Sequence, residues 1–524
     1  MRVAILCNGK DLAWWQRRAV DLISRDHELF VLACGDQPSP PRRLAHLGYY
    51  ALNLVTIRNR QTRRVPFPET GFADAGRIDV EPLIEGNWAE LPKTALDWLK
   101  AQKIDAVVKF GLGLLRVPDE AHLPIPILSF HHGDPRTYRG RPAGFWELAR
   151  SEPFVGQVVQ VLSNQLDAGR VVAFAETKTT AHSYRRTLVE AYALSPYLLP
   201  VALPAIASGD SAELDAGGRN YRLPGTWTVL KFIAARLAAY IRWLAYGGFV
   251  EKRWNVATVE LPRVTDPITA VHEAEHLPWT VPHVPRPYLF FADPFFDPES
   301  RGVIVEALHR WSGKGELARL ADGVELLGQT GGHTSYPASI SEDGKHYLVP
   351  EISEWSEACG IYALEGGKLT RVADLDIGDR RLIDPTLFRH DGRLYLFANL
   401  MEDGVNLLHL WTAPSLFDRF ERHPLSPIRL SARGSRMAGQ LMRVGNDLYR
   451  LGQDARKGYG DGFLAFRIVV LSPTEYHEEA AGEFAFTASS GPHTVNFNNG
   501  RLLFDFYREH FSLLAGFRRI ASRL

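Results

Sequence analysis

A phrase that recurs five times in the second half of the chain constrains its fold more than any other feature. Each copy joins a polar or small residue, an apolar run, a tight turn and a second run rich in Tyr, Phe or Leu; the copies centre on Asp293, Tyr336, Asp384, Ala438 and His493. A period of roughly 50 residues built on hairpins is typical of propeller blades, which bury their faces only by stacking on neighbours. The repeats therefore predict that residues 251–509 form an all-β ring, a five-bladed propeller, with polar residues at its axis.

Composition favours a cytoplasmic protein of two or more domains. The chain has 524 residues, more than one core usually supports, and equal numbers of basic and acidic residues, 60 of each. Without a net positive charge, a nucleic-acid partner is not expected. Three scattered cysteines predict neither a disulfide framework nor a metal site, and the first ten residues lack the pattern of a secretory signal.

Residues 1–205 alternate strand-like and helix-like segments. Apolar runs at residues 2–7, 28–33 and 106–110 are separated by segments with helical spacing. This order predicts an α/β domain with a doubly wound parallel sheet, whose ligands bind at the carboxyl ends of the strands. The loop that follows the third run is expected to face that crevice; its residues are Phe110, Gly111, Leu112, Gly113 and Leu114.

Two basic amphipathic segments lie outside these domains. Residues 206–250 predict a linker with a helix over 227–246, which three cations interrupt, so that a membrane-spanning helix is not expected. Residues 510–524 predict a second basic helix. Each helix either packs against a domain or rests on a membrane surface.

A His and an Asp stand out between residues 127 and 172. His131 directly follows an apolar run, and Asp167 lies in a Leu-Asp-Ala-Gly turn after a second run. If both lie at strand ends, they form a general acid/base pair, because a carboxylate orients the imidazole and stabilises its protonated form. On spacing alone, both could equally be ordinary loop residues.

The motifs around these two residues resemble the formyltransferase fold family, which includes methionyl-tRNA, glycinamide ribonucleotide and sugar N-formyltransferases. That family carries Asn-x-His, Tyr-Arg-Gly and Leu-Asp-x-Gly, and this chain has Ser129-Phe130-His131, Tyr138-Arg139-Gly140 and Leu166-Asp167-Ala168-Gly169 in the same order. The resemblance implies a catalytic trio of Ser129, His131 and Asp167. Ser129 replaces an Asn that donates to the developing oxyanion, and loss of such a donor typically costs roughly 10²–10³ in rate.

The resemblance also implies a cofactor and an acceptor. A 10-formyltetrahydrofolate-type donor is expected near residues 110–114, and a primary amine, such as that of an amino sugar, is expected as the acceptor. A tRNA acceptor is disfavoured by the neutral charge of the chain. Another acyl or one-carbon transfer, or a domain that only binds its ligand, remains an alternative.

A second set of polar residues is expected at the axis of the predicted ring. Carboxylates gathered there can hold sugar hydroxyls or act on a glycosidic bond, although an Asp-Pro pair can also simply form a turn. The expected carbohydrate-binding residues are Asp293, Tyr336, Glu351, Asp384, Arg436, Gln453 and His493.

This half resembles two groups of proteins. Asp293 and Asp384 match the first two acids of five-bladed glycoside hydrolases, but the fourth repeat lacks the expected Glu. Residues 254–510 more closely resemble the propeller that precedes the transferase domain of plant glucosamine inositolphosphorylceramide transferases. Among the matching motifs are Trp254-Asn255-Val256, Val349-Pro350-Glu351 and Gln453-Asp454.

Together, the two halves predict an enzyme of cell-surface polysaccharide or glycolipid biosynthesis. It would N-formylate an amino sugar in the cytoplasm, with peripheral contact to the inner face of the membrane, while the ring binds or processes the glycan. One alternative places glycosyl transfer or hydrolysis in the ring beside a degenerate formyltransferase domain. Another is a carbohydrate-binding scaffold without catalysis.

Overall fold

The computed structural model describes residues 1–35, 42–67, 72, 76–86, 88–118, 123–209, 217–261, 263–328, 330–353, 359–378 and 381–521. The chain divides into two compact units, Met1–Ile241 and Arg242–Leu524. Of the predicted linker and tail helix, residues 210–216 and 522–524 lie outside the described residues.

The N-terminal unit alternates strands and helices, as the apolar runs predict. Its strands are β1 Arg2–Cys7, β2 Asp11–Ala13, β3 Glu28–Cys34, β4 Arg64–Pro66, β5 Arg77–Val80, β6 Leu83–Glu85, β7 Trp88–Glu90, β8 Ala106–Lys109, β9 Leu114–Leu115, β10 Ile127–His131, β11 Tyr138–Gly140, β12 Phe154–Val161, β13 Arg170–Lys178 and β14 Arg219–Tyr221. Its helices are α1 Trp14–Ile23, α2 Leu47–Thr56, α3 Lys93–Ala101, α4 Phe145–Ala149, α5 Tyr184–Leu194, α6 Leu198–Ser208 and α7 Thr226–Phe249, the last of which continues into the second unit.

A seven-stranded sheet with the order β13-β12-β10-β8-β1-β3-β5 forms the centre of this unit. Strands β5, β3, β1, β8 and β10 run parallel, but β12 and β13 are antiparallel to their neighbours. The prediction of a wholly parallel sheet is therefore wrong at one edge. A short loop joins β12 to β13, and only antiparallel neighbours can be joined without a long crossover.

Apolar side chains cover both faces of this sheet. One buried cluster includes Ala4, Phe30, Leu99 and Val107, and aromatic residues of α2, α4, α5 and α7 form another. The helical stretch Tyr184–Ser208 is long and apolar enough to cross a membrane, but half of its apolar window is buried inside the protein. We therefore assign it to the core of the unit.

The C-terminal unit consists mainly of antiparallel strands. They are β15 Val250–Glu260, β16 Tyr288–Phe296, β17 Val303–His309, β18 Gly315–Leu320, β19 Val324–Leu326, β20 Thr334–Glu342, β21 Lys345–Ile352, β22 Gly360–Glu365, β23 Lys368–Asp374, β24 Leu382–His390, β25 Arg393–Leu400, β26 Leu407–Ala413, β27 Glu421–Arg422, β28 Arg429–Leu430, β29 Arg433–Met437, β30 Met442–Val444, β31 Asp447–Asp454, β32 Phe463–Leu471, β33 Tyr476–Phe484, β34 Val495–Asn498 and β35 Arg501–Phe511. Its helices are α8 Pro267–Glu275 and α9 Ala515–Ala521. The tail helix is thus shorter than predicted, because β35 extends to Phe511.

In the described part of this unit, the strands form five antiparallel sheets. Four sheets follow chain order and start at β16, β20, β24 and β29, while the fifth joins β15 to β35 and β34. The first strand of each sheet contacts that of the next, from β16 through β20 and β24 to β29, and β16 also contacts β34 and β35. The backbone amide of Val495 donates to the carbonyl of Ala438, which links the fourth sheet to the fifth.

Candidate functional sites

Polar side chains gather where two central strands of the N-terminal unit end. Ser129 in β10 is the register partner of Lys109 in β8, and His131 lies two residues further along β10. Since side chains alternate along a strand, all three lie on one face of the sheet. Ser129 and His131 are buried, whereas Lys109 is partly exposed.

The Tyr-Arg-Gly strand holds the His and the Asp together. His131 Nδ1 lies 3.5 Å from Asp167 Oδ1, and the other ring nitrogen, Nε2, lies 3.0 Å from the backbone carbonyl of Tyr138. The amide of Gly140 donates to Asp167 Oδ2 over 2.8 Å. Because a carbonyl can only accept, Nε2 carries a proton, and Nδ1 faces the carboxylate. The motif thus fixes both side chains through its backbone.

Gly140 is required at this position for steric reasons. Its φ is +84°, and a Cβ there would lie 2.2 Å from the backbone oxygen of Tyr221. Asp167 also adopts a left-handed conformation, with a φ of 47°. Asp tolerates this region better than most residues, and strained backbone of this kind is concentrated at functional sites.

Lys109 is a member of this site that the sequence analysis missed. Burial lowers the pKa of its ammonium group to about 8, although the charge of Asp167 partly opposes that shift. A cation here can stabilise negative charge that develops beside Ser129. The available signal was a charged residue at the end of an otherwise apolar strand, directly before Phe110.

The predicted cofactor loop lines a cleft of about 150 Å³. Phe110, Gly111, Leu112 and Gly113 contribute to its wall, together with residues that follow β1 and β3, whereas Leu114 belongs to β9. This volume is smaller than the roughly 300–1,000 Å³ of pockets that enclose a whole ligand. The cleft therefore fits one end of a folate-sized molecule.

Two further side chains near this edge of the sheet, His132 and Asp134, already have hydrogen-bond partners. His132 Nε2 lies 2.9 Å from the hydroxyl of Ser195, and burial lowers the pKa of His132 to about 3. Asp134 accepts hydrogen bonds from Arg136. Burial also raises the pKa of the Cys7 thiol in the cleft to about 11, which makes it a weak nucleophile.

In the C-terminal unit, three copies of the repeated phrase form the same backbone irregularity. Asp293, Tyr336 and Asp384 have φ values of 47°, 47° and 48°, and the strand register shifts at each of them. A bulge of this type re-aims a side chain within a sheet. The fourth and fifth copies differ, since Ala438 and His493 lie outside the strands beside them.

The first cluster of buried charges in this unit surrounds His493. Its Nε2 lies 3.2 Å from Asp293 Oδ1, and its Nδ1 lies 2.5 Å from Asp505 Oδ2. Burial alone would lower the pKa of His493, but the nearby Asp505, Tyr459 and Asp293 raise it well above its usual value. In the described residues, His493, Asp293 and Asp505 also form the one His/acid group compact enough to hold a metal ion, with ligand atoms within 4.8 Å. A proton that the imidazole of His493 shares with the carboxylates of Asp293 and Asp505 accounts for the arrangement of these three side chains.

A second cluster surrounds Asp384. Arg436 Nε lies 2.5 Å from Asp384 Oδ2, the same oxygen that accepts from Gln453 over 3.1 Å. Glu351 accepts from the backbone amide of Asp384 over 3.1 Å. Burial and the charge of Asp384 raise the pKa of Glu351 to about 8, although Arg436 partly opposes this shift. The cluster thus places Glu351, which holds its proton near neutral pH, beside a carboxyl group that contacts a cation.

The two clusters share one design. In each, a left-handed Asp donates its backbone N–H to an acid of another sheet: Asp293 to Asp505, and Asp384 to Glu351. In each, a cation contacts the Asp. The ring of Tyr459 lies between the two cations. Its centroid is 5.0 Å from the guanidinium carbon of Arg436 and 5.3 Å from the centroid of the His493 ring.

Tyr336 has a different environment from the other predicted residues. Its side chain is fully buried, and its hydroxyl exchanges hydrogen bonds with Thr386 and with both backbone groups of Gly439. These contacts connect three sheets. The structure therefore brings Asp293 and His493 together, and Glu351, Asp384, Arg436 and Gln453 together, while the hydroxyl of Tyr336 bonds within the protein.

Sequence reasoning missed Asp505, Glu306 and Tyr459. Asp505 and Glu306 lie in second strands, away from the repeated polar residue, and each reads as part of an ordinary strand pattern. Burial and nearby Asp293 raise the pKa of Glu306 well above its usual value. Their positions in second strands match that of Glu351, which is the signal that could have identified them.

A known protein family matches part of the C-terminal unit. The family described as glucosamine inositolphosphorylceramide transferase 1, N-terminal, matches residues 322–502. Glucosamine inositolphosphorylceramide transferase 1 of Arabidopsis thaliana is 28% identical over 154 residues, which are 28% of this chain and 20% of the relative. Its counterpart in Oryza sativa subsp. japonica is 30% identical over 152 residues, with the same coverage. The match thus spans about a fifth of the length of these relatives.

Solved structures similar to this chain include formyltransferases. A sugar N-formyltransferase from a Shewanella species is 12% identical, with 43% of this chain and 75% of that chain covered and a TM-score of 0.25. Glycinamide ribonucleotide transformylase 1 from Symbiobacterium toebii is 17% identical, with 38% and 85% covered and a TM-score of 0.25. Scores this low do not assign the fold.

Proposed function

We propose that the N-terminal unit transfers a formyl group to the amine of an amino sugar. The observation that carries this proposal is the pairing of His131 with Asp167, 3.5 Å apart, at the carboxyl ends of the central strands. The Tyr-Arg-Gly backbone holds both side chains, and Ser129 and Lys109 lie beside them. An acid/base pair next to a cation and a hydroxyl donor is the set that acyl transfer to an amine requires.

Each residue has a distinct proposed role. The Lys109 ammonium group and the Ser129 hydroxyl stabilise the oxygen that becomes negative when the amine attacks the formyl carbon. His131 adds positive charge while Asp167 keeps its ring in place. A carboxylate oxygen of Asp167, directly or through a water, takes the proton that the amine loses as its new C–N bond forms. The same group returns that proton to the nitrogen of the donor when the bond between that nitrogen and the formyl carbon breaks. Lys109 thus takes over a role that the Asn of the resembling family performs.

A 10-formyltetrahydrofolate-type donor supplies an activated one-carbon group when it is bound. The cleft beside Phe110–Gly113 would hold one end of this molecule, and Asn8, Gln16 and Arg64 add polar lining to the apolar walls. Its volume of about 150 Å³ leaves the remainder of the donor outside the cleft.

Incubation with 10-formyltetrahydrofolate and a panel of amino sugars and sugar-nucleotide amines tests this proposal. We expect formylated product by mass spectrometry, and a loss of roughly 10²–10⁴-fold in His131→Ala, the usual range for an acid/base residue. His27→Ala is a matched control, because His27 precedes β3 at the opposite end of the parallel strands. Equal activity of His131→Ala and the wild type would refute the assigned chemistry.

The amino-sugar acceptor rests on the second unit. The family that matches residues 322–502 and the plant relatives both carry glucosamine in their names, and buried acids beside cations are suited to sugar hydroxyls. The cyclic contacts among first strands favour a five-bladed propeller with both acidic clusters near its axis. We place the protein in the cytoplasm, in the biosynthesis of a cell-surface polysaccharide or glycolipid.

A second candidate function is glycosidic chemistry in the C-terminal unit. The observation in its favour is the pair of Glu351, with a pKa of about 8, and Asp384, whose carboxylate contacts Arg436. A carboxyl group that keeps its proton near neutral pH can act as a glycosidic acid, and a second carboxyl group beside it can act as the nucleophile. Asp384→Asn should then abolish conversion of a glycan donor, and Asp391→Asn in the exposed turn of the same hairpin should not.

A carbohydrate-binding scaffold gives a different result in the same assays. Neither His131→Ala nor Asp384→Asn would change any turnover, whereas Asp384→Asn would reduce retention of the protein on a glycan column.

A further inference from the structure

The outer surfaces of α2 and α7 expose a set of large apolar side chains within the N-terminal unit. On α7, these residues recur at helical spacing and lie on one face, which is between 42% and 68% exposed: Trp227, Leu230, Ile233, Leu237, Tyr240 and Ile241. On and before α2, the exposed residues are Leu44, Leu47, Leu54 and Val55. Contiguous exposed apolar surface of this kind marks an interaction site.

The opposite face of α7 anchors the helix to the unit. Val229 and Phe232 are buried, and the ring of Phe232 stacks on that of Phe145 at 4.3 Å. Arg236 donates to the backbone carbonyl of Leu148 over 3.0 Å. The apolar outer face is therefore presented by a helix whose orientation is fixed, and it does not belong to the core.

The N-terminal ends of the two helices contact each other. The amide of Gly48 donates to the hydroxyl of Thr226 over 3.2 Å, and that hydroxyl lies 3.3 Å from the carbonyl of Ala45. The ring of His46 lies 3.0 Å from the carbonyl of Pro224. Tyr49 of α2 and Val229 of α7 also pack into one buried cluster. The outer apolar residues therefore form one surface.

The two segments that carry this surface contain many cations and no acidic residue of their own, although Arg64 forms an ion pair with Asp11 of a neighbouring strand. The segment 42–67 contains six arginines and no Asp or Glu, and the segment 217–250 contains five basic residues and again no Asp or Glu. Around the axis of α7, the exposed Lys231 lies at one flank of the apolar stripe. Apolar side chains flanked by cations, with a Trp at the start of the helix, are typical of helices that lie in the interface of a bilayer.

We propose that α2 and the outer face of α7 bind the surface of a lipid bilayer that contains anionic lipids. The apolar side chains enter the boundary between headgroups and acyl chains, and the arginines contact lipid phosphates. A second copy of the chain fits less well, because an isologous contact would bring two surfaces of the same positive sign together. This surface is independent of the proposed formyl transfer.

Vesicle co-sedimentation of the full chain tests the proposal. We compare vesicles of neutral phosphatidylcholine with vesicles that contain 30% phosphatidylglycerol by composition, a value chosen as roughly that of an anionic leaflet. We expect binding to the anionic vesicles on the order of tenfold tighter or more, and a decrease as salt rises, because each cation near the surface contributes to the attraction.

Two double variants separate the contributions. Leu230→Glu with Leu237→Glu should remove binding to both vesicles, and Arg58→Gln with Arg60→Gln should weaken binding to anionic vesicles by on the order of tenfold or more. The matched controls are Trp311→Glu and Arg286→Gln with Arg301→Gln, which change exposed residues of the other unit and should bind like the wild type.

Three results would overturn the proposal: no binding, equal binding to neutral and anionic vesicles, or unchanged binding by both double variants. A dimer in sedimentation velocity that Leu230→Glu with Leu237→Glu converts to monomer, without a change in vesicle binding, would assign the surface to a second copy instead. Retained circular dichroism of each variant shows that the fold is intact.

Discussion

The two candidate sites use ionisable groups in opposite ways. In the N-terminal unit, Lys109, Ser129, His131 and Asp167 come from neighbouring strands and one loop, and Asp167 remains partly exposed. In the C-terminal unit, Asp384 and His493 are almost fully buried, and their partners come from different sheets. The first arrangement leaves groups available to a ligand at small structural cost. In the second arrangement, the buried charges themselves help to hold the sheets together.

The largest effect is expected when a cation is removed from the C-terminal clusters. Arg436→Met leaves Asp384 buried without its partner, which should lower the free energy of unfolding by about 3–5 kcal/mol. Urea denaturation followed by tryptophan fluorescence measures it. Arg467→Met, in an ion pair with Glu479 that is about half exposed, should leave the free energy of unfolding nearly unchanged. Equal losses in the two variants would mean that burial does not determine the cost of removing a cation.

In the N-terminal unit, removal of a cation should affect rate and leave stability nearly unchanged. Lys109→Gln should lower formyl transfer by roughly 10²–10³-fold, as for loss of an oxyanion donor. The wild-type rate should fall as pH rises through about 8, because the ammonium group loses its proton there. Lys109→Arg keeps the charge, so its rate should persist at higher pH. A profile that is identical in Lys109→Arg and the wild type would exclude this role.

The stability of the C-terminal unit should depend on pH through Glu351. The pKa of Glu351 is raised to about 8 in the folded protein, so its contribution is present at low pH and is lost as pH rises through that value. The slope for one proton is at most about 1.4 kcal/mol per pH unit. Glu351→Gln should flatten the unfolding midpoints of the C-terminal unit between about pH 5 and 8. An unchanged slope would place the titration on another group, such as His493.

The smallest effect is expected at Ser129. Ser129→Ala removes one short hydroxyl donor but leaves Lys109, so formyl transfer should fall by about tenfold or less, which corresponds to one ordinary hydrogen bond. Steady-state kinetics at pH 7 measure this change. A loss as large as that in Lys109→Gln would show that the hydroxyl, and not the ammonium group, is the principal donor.

The sequence predicted those features that depend on local pattern. Apolar runs located β1, β3 and β8 to within one residue at each end, and the repeated phrase singled out Asp293, Tyr336 and Asp384, although it did not predict the bulges at these residues. The ordered motifs brought His131 and Asp167 to attention before their distance was known. These signals succeed because each is contained in a few consecutive residues.

Features that depend on contacts between distant strands were not predictable. Nothing beside Asp505 or Glu306 in sequence indicates that another sheet will place Asp293 next to them. The antiparallel pairing of β12 and β13 depends on how the chain returns to the sheet edge. Lys109 was overlooked because its function arises only from the register that aligns it with Ser129.

The pairing of β15 with β35 has a consequence for how the protein is made. Residues 250–260 form the first strand of the C-terminal unit, and they bond along their whole length to residues 501–511. During synthesis on a ribosome, β15 emerges long before its partner and must wait unpaired, because a contact of such long range forms late. We expect nascent chains that stop short of residue 501 to be protease-sensitive in this unit, and a chaperone that shields a lone strand edge to assist them.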